Sequence, residues 1–382
     1  MKNYLIKGCG YMNFIKENKD SNYKEVIEKI INDRKKEIFS FFNSEEVDLP
    51  FNIYIYDSIE SLVKGMKERG FKDDPDYMCA CQKDEDNSLN FFEPKDNPNS
   101  NECTKEEYKN VIFHELIHGI QFNLFGYAPE WVTEGIAKYL DGTYKKGIKY
   151  LMENYINTRD IPDQKEIEEE FGFHDYDSYL YAFIMVSYII EVYGKDYLIE
   201  LLKDRNKLNI EKVGLLNRAV NYYNRKYFNL MDEYLNQDID NPKYMFHGSP
   251  KRLNKLKPIL SHDSDDNQNN IAEAIFLFPS FIKCTPYAFK DTIKEDSIKL
   301  GMHYDFDIPN DHEFPLMTMK NVSINPDIVG YIYVFNKDDD MIKDKQTYQY
   351  KCFKELIPID VVEVHYKDYE KYYEVNNYSK SR

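Results

Sequence analysis

The stretch VIFHELIHGIQF, residues Val111–Phe122, places two of the chain's eight histidines four residues apart in an otherwise apolar run. On an α-helix, residues four apart lie on the same face, one turn from each other. His114 and His118 would therefore project side by side, at a spacing where two imidazole nitrogens can reach the same small cation. The stretch predicts a buried helix that supplies two ligands of a metal site.

The residue after the first histidine fits a hydrolytic role for this site. A catalytic zinc ion usually takes three protein ligands and keeps a fourth position for a water molecule, whose pKa it lowers. Glu115 is expected beside that water, where its carboxylate can accept the proton. The competing interpretation is a chance His-Glu-x-x-His pattern on a core helix, which we expect in roughly one in a hundred chains of this histidine content. The metal site is therefore the preferred hypothesis.

The third ligand must come from elsewhere in the chain. The metzincin pattern requires Gly at position 121 and His at position 124, and this chain has Gln121 and Leu124, so that class is excluded. The next stretch, YAPEWVTEGIAKYLDG, offers Glu130 and Glu134 on a second predicted helix. A carboxylate from a helix packed across the first would complete a site of two histidines and one glutamate.

The two stretches together carry a family resemblance. HELIH at His114–His118, followed by PEWVTEGIAKYL at Pro129–Leu140, resembles the gluzincin metallopeptidases and most of all their compact peptidase MA-like branch. The resemblance extends over roughly residues 20 to 205. It implies a bound Zn²⁺, hydrolysis of peptide bonds in a protein or peptide substrate, and a third ligand at the glutamate that precedes the glycine. Glu134 is that residue, and Glu130 is then a surface acid or an acid outside the ligand set.

The same resemblance implies two supporting groups. The helix that follows the site is expected to provide an oxyanion donor, often Tyr or His, for which Tyr181 is the preferred residue and Tyr179 the alternative. The competing interpretation is that both tyrosines are core residues of an apolar helix. Larger gluzincins often place an Asp four residues after the ligand glutamate to orient a histidine. This chain has Lys138 there, and Asp141 is the candidate substitute.

Composition limits the class of protein. The 382 residues exceed what one hydrophobic core usually serves, so we expect two domains. A net charge of −17 disfavours nucleic acids and anionic membranes as partners. The N-terminus lacks the features of a secretory signal, and the six cysteines follow no framework spacing. These features predict a soluble, cytoplasmic protein with no membrane span, and they leave the oligomeric state open.

Hydrophobic periodicity predicts the elements around the motif. Helices are expected at Lys24–Phe42, over residues 59–70, and after a cap at Thr104. Further helices are expected at Trp131–Leu140, Ser178–Val192 and Tyr197–Leu202, and a strand is expected within Pro50–Ser58. After residue 242 the pattern changes to short strand-like runs, AIFLF, VGYIYVF and IDVVEVHY. We therefore predict domains at 1–242 and 243–382.

The C-terminal part has a weaker resemblance, which rests on His247-Gly248-Ser249 at the end of a predicted strand. A second strand then leads into a helix in AIFLFPSFIKCTPYAF. This order resembles the ADP-ribosyltransferase-like folds in which such a triplet binds the nicotinamide ribose and amide of NAD. The expected stacking Tyr is replaced by Phe276, and the expected catalytic Glu by Gln346 or Gln349. The alternatives are NAD binding without catalysis, or a recognition module in which the triplet forms a turn.

The predicted fold class is α+β. It has an N-terminal gluzincin-type metallopeptidase domain, mainly helical with a small sheet, and a C-terminal α/β domain of ADP-ribosyltransferase-like shape. The function hypothesis is zinc-dependent peptide hydrolysis. The alternatives are an NAD-dependent ADP-ribosyltransferase activity of the C-terminal domain, and a non-catalytic protein in which zinc only clamps two helices.

Overall fold

The chain forms two compact units in a computed structural model. The first comprises Met1–Leu151 and Pro162–Leu208, and the second comprises Met152–Ile161 and Asn209–Arg382. The structure describes residues 4–7, 12–16, 22–47, 51–71, 80–83, 87–94, 105–162, 176–260, 272–299, 303–307, 315–320, 324–344 and 349–377.

A five-stranded mixed sheet lies in the first unit. Its strands are β1 (Tyr4–Lys7), β2 (Asn13–Lys16), β3 (Asn52–Tyr56), β4 (Ala80–Lys83) and β5 (Ser88–Phe92), in the spatial order β1-β2-β3-β5-β4. The central pairs β2–β3 and β3–β5 are parallel, and the two edge pairs are antiparallel. The predicted strand within Pro50–Ser58 is the central strand β3, where Ile53 and Ile55 are buried.

The helices that begin in the first unit follow the predicted periodicity. They are α1 (Tyr23–Phe41), α2 (Ile59–Glu68), α3 (Lys105–Phe125), α4 (Glu130–Asp141), α5 (Gly147–Asn154), α6 (Tyr176–Tyr193), α7 (Lys195–Lys203) and α8 (Arg205–Glu211). The helices predicted from sequence are thereby confirmed to within a few residues at their ends, while Thr104 lies outside the described residues. Over the described ranges, none of the helices has both the length and the apolar character needed to cross a bilayer.

A single glycine sets the distance between α4 and α6. A Cβ atom on Gly135 would overlap the carbonyl oxygen of Ala182 and the Cγ2 atom of Val186. Gly135 itself is buried on α4. The two helix backbones can approach this closely only because residue 135 lacks a side chain.

The described residues of the second unit form three small sheets. The first sheet contains β14 (Asp360–His365), β11 (Val329–Asn336) and β6 (Tyr244–Ser249). The second contains β12 (Ile342–Lys343), β13 (Tyr350–Cys352), β8 (Glu273–Leu277) and β7 (Ile259–Leu260). The third contains β15 (Glu374–Asn377), β10 (Leu316–Lys320) and β9 (His303–Asp307). A bridge between Phe246 and Phe278 joins the first two sheets. The helices are α9 (Leu215–Tyr227), α10 (Leu230–Asn236), α11 (Phe281–Lys299) and α12 (Tyr366–Tyr369).

The helices before residue 242 belong to this second unit through a buried polar contact. The Asp360 side chain, 1% exposed at the start of β14, accepts a 2.7 Å hydrogen bond from Arg225 on α9 and a 3.2 Å bond from the Tyr234 hydroxyl on α10. Tyr234 also lies in the apolar core around β6 and α11. In this part of the chain the units divide between Leu208 and Asn209. The sequence pattern had instead placed the boundary near residue 242. The helical texture of residues 209–236 gave no indication that they pack on strands further along the chain.

We expect Gly135→Ala to lower the free energy of unfolding by about 1–3 kcal/mol, because the added methyl group forces α4 away from α6. In an unrestricted helix the same change stabilises by about 1 kcal/mol. Chemical denaturation of both proteins measures the difference. A more stable variant would show that the two helices do not need this close approach.

Candidate metal centre

The two histidines lie on a part of helix α3 whose apolar side chains are also buried. Ile112, Leu116, Ile117 and Ile120 are all fully buried, and His114 and His118 are 9% and 8% exposed. Helix α4 begins directly after Pro129 and ends before Gly142, which has the left-handed backbone conformation that favours glycine. Glu134 is the buried acid near the middle of α4.

Three side chains converge where α3 and α4 meet. The Nε2 atoms of His114 and His118 lie 2.9 Å apart. The Glu134 carboxylate reaches both rings, with Oε2 3.1 Å from His114 Nε2 and Oε1 3.1 Å from His118 Nε2. One potential ligand atom from each residue lies within 4.8 Å of the others, and no second such group occurs among the residues that the structure describes.

This arrangement fits a small divalent cation. Two imidazole nitrogens that face each other at 2.9 Å can share at most one proton, so their lone pairs are poorly satisfied by hydrogen bonding alone. Tetrahedral bonds of about 2.0–2.1 Å would hold three ligand atoms about 3.3 Å apart, close to the separations found here. Two imidazoles and one carboxylate also match the donor set of an open zinc site.

The electrostatics of the cluster keep Glu134 charged. Burial alone would raise the pKa of this carboxyl group, but the neighbouring His118 and His114 outweigh that effect and hold its pKa well below the usual range. Burial alone would lower the pKa of His114, and the carboxylates of Glu134 and Asp141 instead raise the pKa to about 9. The cluster therefore behaves as an anionic pocket that attracts a proton or a metal cation.

Asp141 orients the first histidine. Its Oδ2 atom lies 2.9 Å from His114 Nδ1, while its Oδ1 atom accepts hydrogen bonds of 2.6 Å and 2.5 Å from the backbone nitrogen and hydroxyl of Thr143. This contact holds a proton on His114 Nδ1 and fixes the ring with Nε2 directed toward Glu134. Lys138, at the position where larger gluzincins have Asp, lies 3.8 Å from the same Asp141 oxygen. Asp141 thus makes the contact with His114 that the predicted orienting role requires, and the role itself stays a prediction.

The two remaining acids, Glu115 and Glu130, are half-buried beside the cluster. Both raise the pKa of the Tyr179 hydroxyl, whose increase comes first from burial and then from Glu134, Glu115 and Glu130. The Tyr179 hydroxyl is therefore within electrostatic reach of these three carboxylates.

Tyr181, the preferred oxyanion donor from sequence, is placed differently. It is 7% exposed and lies two positions along α6, which is about 200° around a helix of 3.6 residues per turn. The two tyrosines thus point to nearly opposite sides of α6. The Lys138 ammonium lies 5.0 Å from the ring centre of Tyr179. We therefore prefer Tyr179 to Tyr181 as the oxyanion donor, and the choice stays a prediction.

Gln121 is a polar residue of the site to which the sequence analysis assigned no functional role. Gln121 is 1% exposed and donates a 3.2 Å hydrogen bond from Nε2 to the hydroxyl of Thr133, the residue before Glu134. In the sequence it served only to exclude the metzincin pattern. Its position three residues after His118, on the same face of an apolar helix, is the pattern from which this role could have been inferred.

The triplet His247-Gly248-Ser249 forms the end of β6, so the predicted turn is wrong, while the recognition module stays a prediction. A Cβ atom on Gly248 would lie 2.7 Å from the Cys284 carbonyl oxygen and 2.8 Å from the Ala288 nitrogen, both on α11. Close packing of a helix on the sheet therefore accounts for this glycine.

The neighbouring His247 contacts protein. Its Nδ1 atom lies 2.8 Å from the Phe276 carbonyl oxygen, and burial lowers its pKa. Gln349 donates a 3.2 Å bond to the Tyr287 hydroxyl, and Gln346 lies outside the described residues. NAD binding at His247, Gly248 and Ser249 stays a prediction.

Comparison with known families places the helices around the metal centre in a class of peptidases. The family model described as Peptidase MA superfamily matches residues 105–215, and the one described as Peptidase of plants and bacteria matches residues 21–151. Both matches include α3 and α4, so the resemblance predicted from His114–Leu140 is confirmed. These matches support a metallopeptidase domain of the peptidase MA type in the N-terminal part of the chain. None of the curated protein sequences matches the chain.

Proposed function

We propose that the N-terminal domain is a zinc-dependent peptidase that hydrolyses peptide bonds of a protein or peptide substrate. The observation that supports this most directly is the convergence of three buried side chains, His114, His118 and Glu134, from two packed helices. Zinc held by these residues would polarise the scissile carbonyl and lower the pKa of a water molecule.

Glu115 is the proposed general base. It follows a ligand histidine on α3 and is half-buried, so its carboxylate can lie beside the reacting water while remaining open to substrate. It takes the proton from the water and then passes it to the leaving amine. Asp141 supports this chemistry by keeping the Nε2 lone pair of His114 directed into the site.

Tyr179 is the proposed oxyanion donor. Burial and the surrounding carboxylates raise the pKa of its hydroxyl above the ordinary value, so the phenol stays protonated. A neutral phenol donates a hydrogen bond to a carbonyl oxygen that gains negative charge. The position of Tyr179 among Glu134, Glu115 and Glu130 supports this role.

A purely structural zinc site is the less favoured alternative. Structural sites are usually closed by four protein ligands, whereas catalytic sites keep one position open. In the part of the chain that the structure describes, only three residues converge. A zinc site that only joins two helices would also not require the half-buried Glu115 beside these residues.

We expect one zinc ion per chain in the wild type, and we expect Glu134→Ala to lose it while Glu130→Ala retains it. Glu130 is the matched control because it lies one turn earlier on the same helix and carries the same charge. Metal analysis of the purified proteins after dialysis measures the stoichiometry. Retention by Glu134→Ala together with loss by Glu130→Ala would reverse the ligand assignment.

Glu115→Gln should keep the zinc and the fold but lose hydrolysis by several orders of magnitude, because both proton transfers depend on the carboxylate. A screen with a broad peptide mixture, read by mass spectrometry, identifies a cleaved peptide on which kcat/KM is then measured. Full turnover by a zinc-loaded Glu115→Gln protein would remove this residue from the mechanism.

Tyr179→Phe should lower kcat by roughly 10²–10³-fold with little change in KM, since the lost hydrogen bond forms mainly in the transition state. Tyr181→Phe is the control and should leave kcat within about threefold. Steady-state kinetics on the same peptide distinguishes the two. An effect confined to Tyr181→Phe would restore the original preference for that residue.

A further inference from the structure

The two histidines of the metal centre are held differently in the structure. His114 donates from Nδ1 to Asp141, whereas His118 Nδ1 is buried without a hydrogen-bond partner among the described residues. An imidazole that binds a cation through Nε2 carries its proton on Nδ1, and such ligands almost always donate that proton to a neighbouring group. His118 therefore requires a nearby acceptor.

Gln121 presents an acceptor of the matching kind. Its Oε1 atom is also buried without a partner among the described residues, although the other end of the same amide is fixed on Thr133. The Thr133 hydroxyl lies 3.2 Å from the Pro129 carbonyl oxygen, to which it can donate while accepting from Gln121. The Gln121 amide is thus anchored with its nitrogen toward α4 and its oxygen still available.

The sequence spacing brings these two buried atoms to the same side of α3. Gln121 follows His118 by three residues, and side chains three apart on a helix are neighbours. Helical side chains also lean toward the N-terminus, which directs Gln121 back toward His118. One atom is a donor and the other an acceptor, so a single hydrogen bond satisfies both.

We infer that the Gln121 carbonyl accepts the Nδ1 proton of His118, directly or through one buried water, and so positions this ligand for the metal. The inference rests on the proposed function in that His118 is taken as a ligand. Thr133 holds Gln121 in place, and because Thr133 precedes Glu134, the same contact ties the second histidine to the helix of the third ligand. Gln121 is then a positioning residue, which does for His118 what Asp141 does for His114.

A competing account gives Gln121 only a packing role. Trp131 Nε1 on α4 is another buried donor without a partner among the described residues. If Gln121 serves Trp131, or only joins α3 to α4 through Thr133, its replacement lowers stability without a specific effect on the metal. Zinc affinity therefore separates the two accounts.

The test compares Gln121→Met, which has a similar length and no strong acceptor, with Gln121→Glu, which keeps an acceptor at the same place. Zinc dissociation constants of the full chain are measured by competition with a chromophoric chelator, and the unfolding midpoint of each metal-free protein is measured in parallel. Gln121→Met should weaken zinc binding by about 10–100-fold, and Gln121→Glu should stay within about threefold of the wild type. Trp131→Phe should leave zinc affinity unchanged.

Equal zinc affinity in Gln121→Met and the wild type would overturn the inference, as would an equal loss in both Gln121 variants. If Gln121→Met fails to fold, Thr133→Val provides the second variant, because it releases the amide and should weaken zinc binding by at least about threefold. Unchanged affinity in that variant would also overturn the inference. A wild type that binds no zinc overturns both proposals, whereas zinc binding without hydrolysis overturns only the proposed function.

Discussion

The candidate metal centre depends on the close contact of three buried polar side chains, His114, His118 and Glu134. The Nε2 atoms of His114 and His118 lie 2.9 Å apart, each within 3.1 Å of the Glu134 carboxylate. A buried polar group without a proper partner costs about 1–3 kcal/mol. In the proposed zinc-bound state one cation would satisfy all three groups together. Helices α3 and α4 would then be joined by these three residues as well as by apolar packing.

The position of Glu134 follows from the packing of its own helix. The next residue, Gly135, lets α4 approach α6 closely, since any side chain there would overlap Ala182 and Val186. The helix therefore has one defined rotation, with the glycine toward α6 and the glutamate toward α3. Glu130, one turn earlier at the start of the helix, is only half-buried and lies outside the three-residue cluster. Because Glu134 and Gly135 are adjacent, the close packing of Gly135 on α6 also sets the position of Glu134, the proposed third ligand.

Local patterns in the sequence predicted the elements and most of the cluster, because helix periodicity and the spacing of two histidines are local properties. The choice between Tyr179 and Tyr181 could not be made in this way. Helix α6 is apolar on nearly all sides, so its periodicity does not show which face meets α4. Residues 209–236 posed a similar difficulty, since they pack on Asp360, which lies over a hundred positions further along the chain. The spacing of Gln121 from His118 was visible in the sequence, but its hydrogen bond to Thr133 on a second helix was not, because a local pattern does not show which helices pack together.

Lys138 occupies the position, four residues after Glu134, at which the resemblance to the larger gluzincins implies an acid. An acid four residues after the ligand glutamate is replaced by Lys138, and Asp141, almost one further turn along α4, contacts His114 instead. Three residues on a helix amount to about 300°, so Asp141 returns to nearly the same face. The lysine is then left between Asp141 and the Tyr179 ring, 3.8 Å from the carboxylate and 5.0 Å from the ring centre. One cation therefore contacts both Asp141, which contacts the proposed ligand His114, and Tyr179, the proposed oxyanion donor.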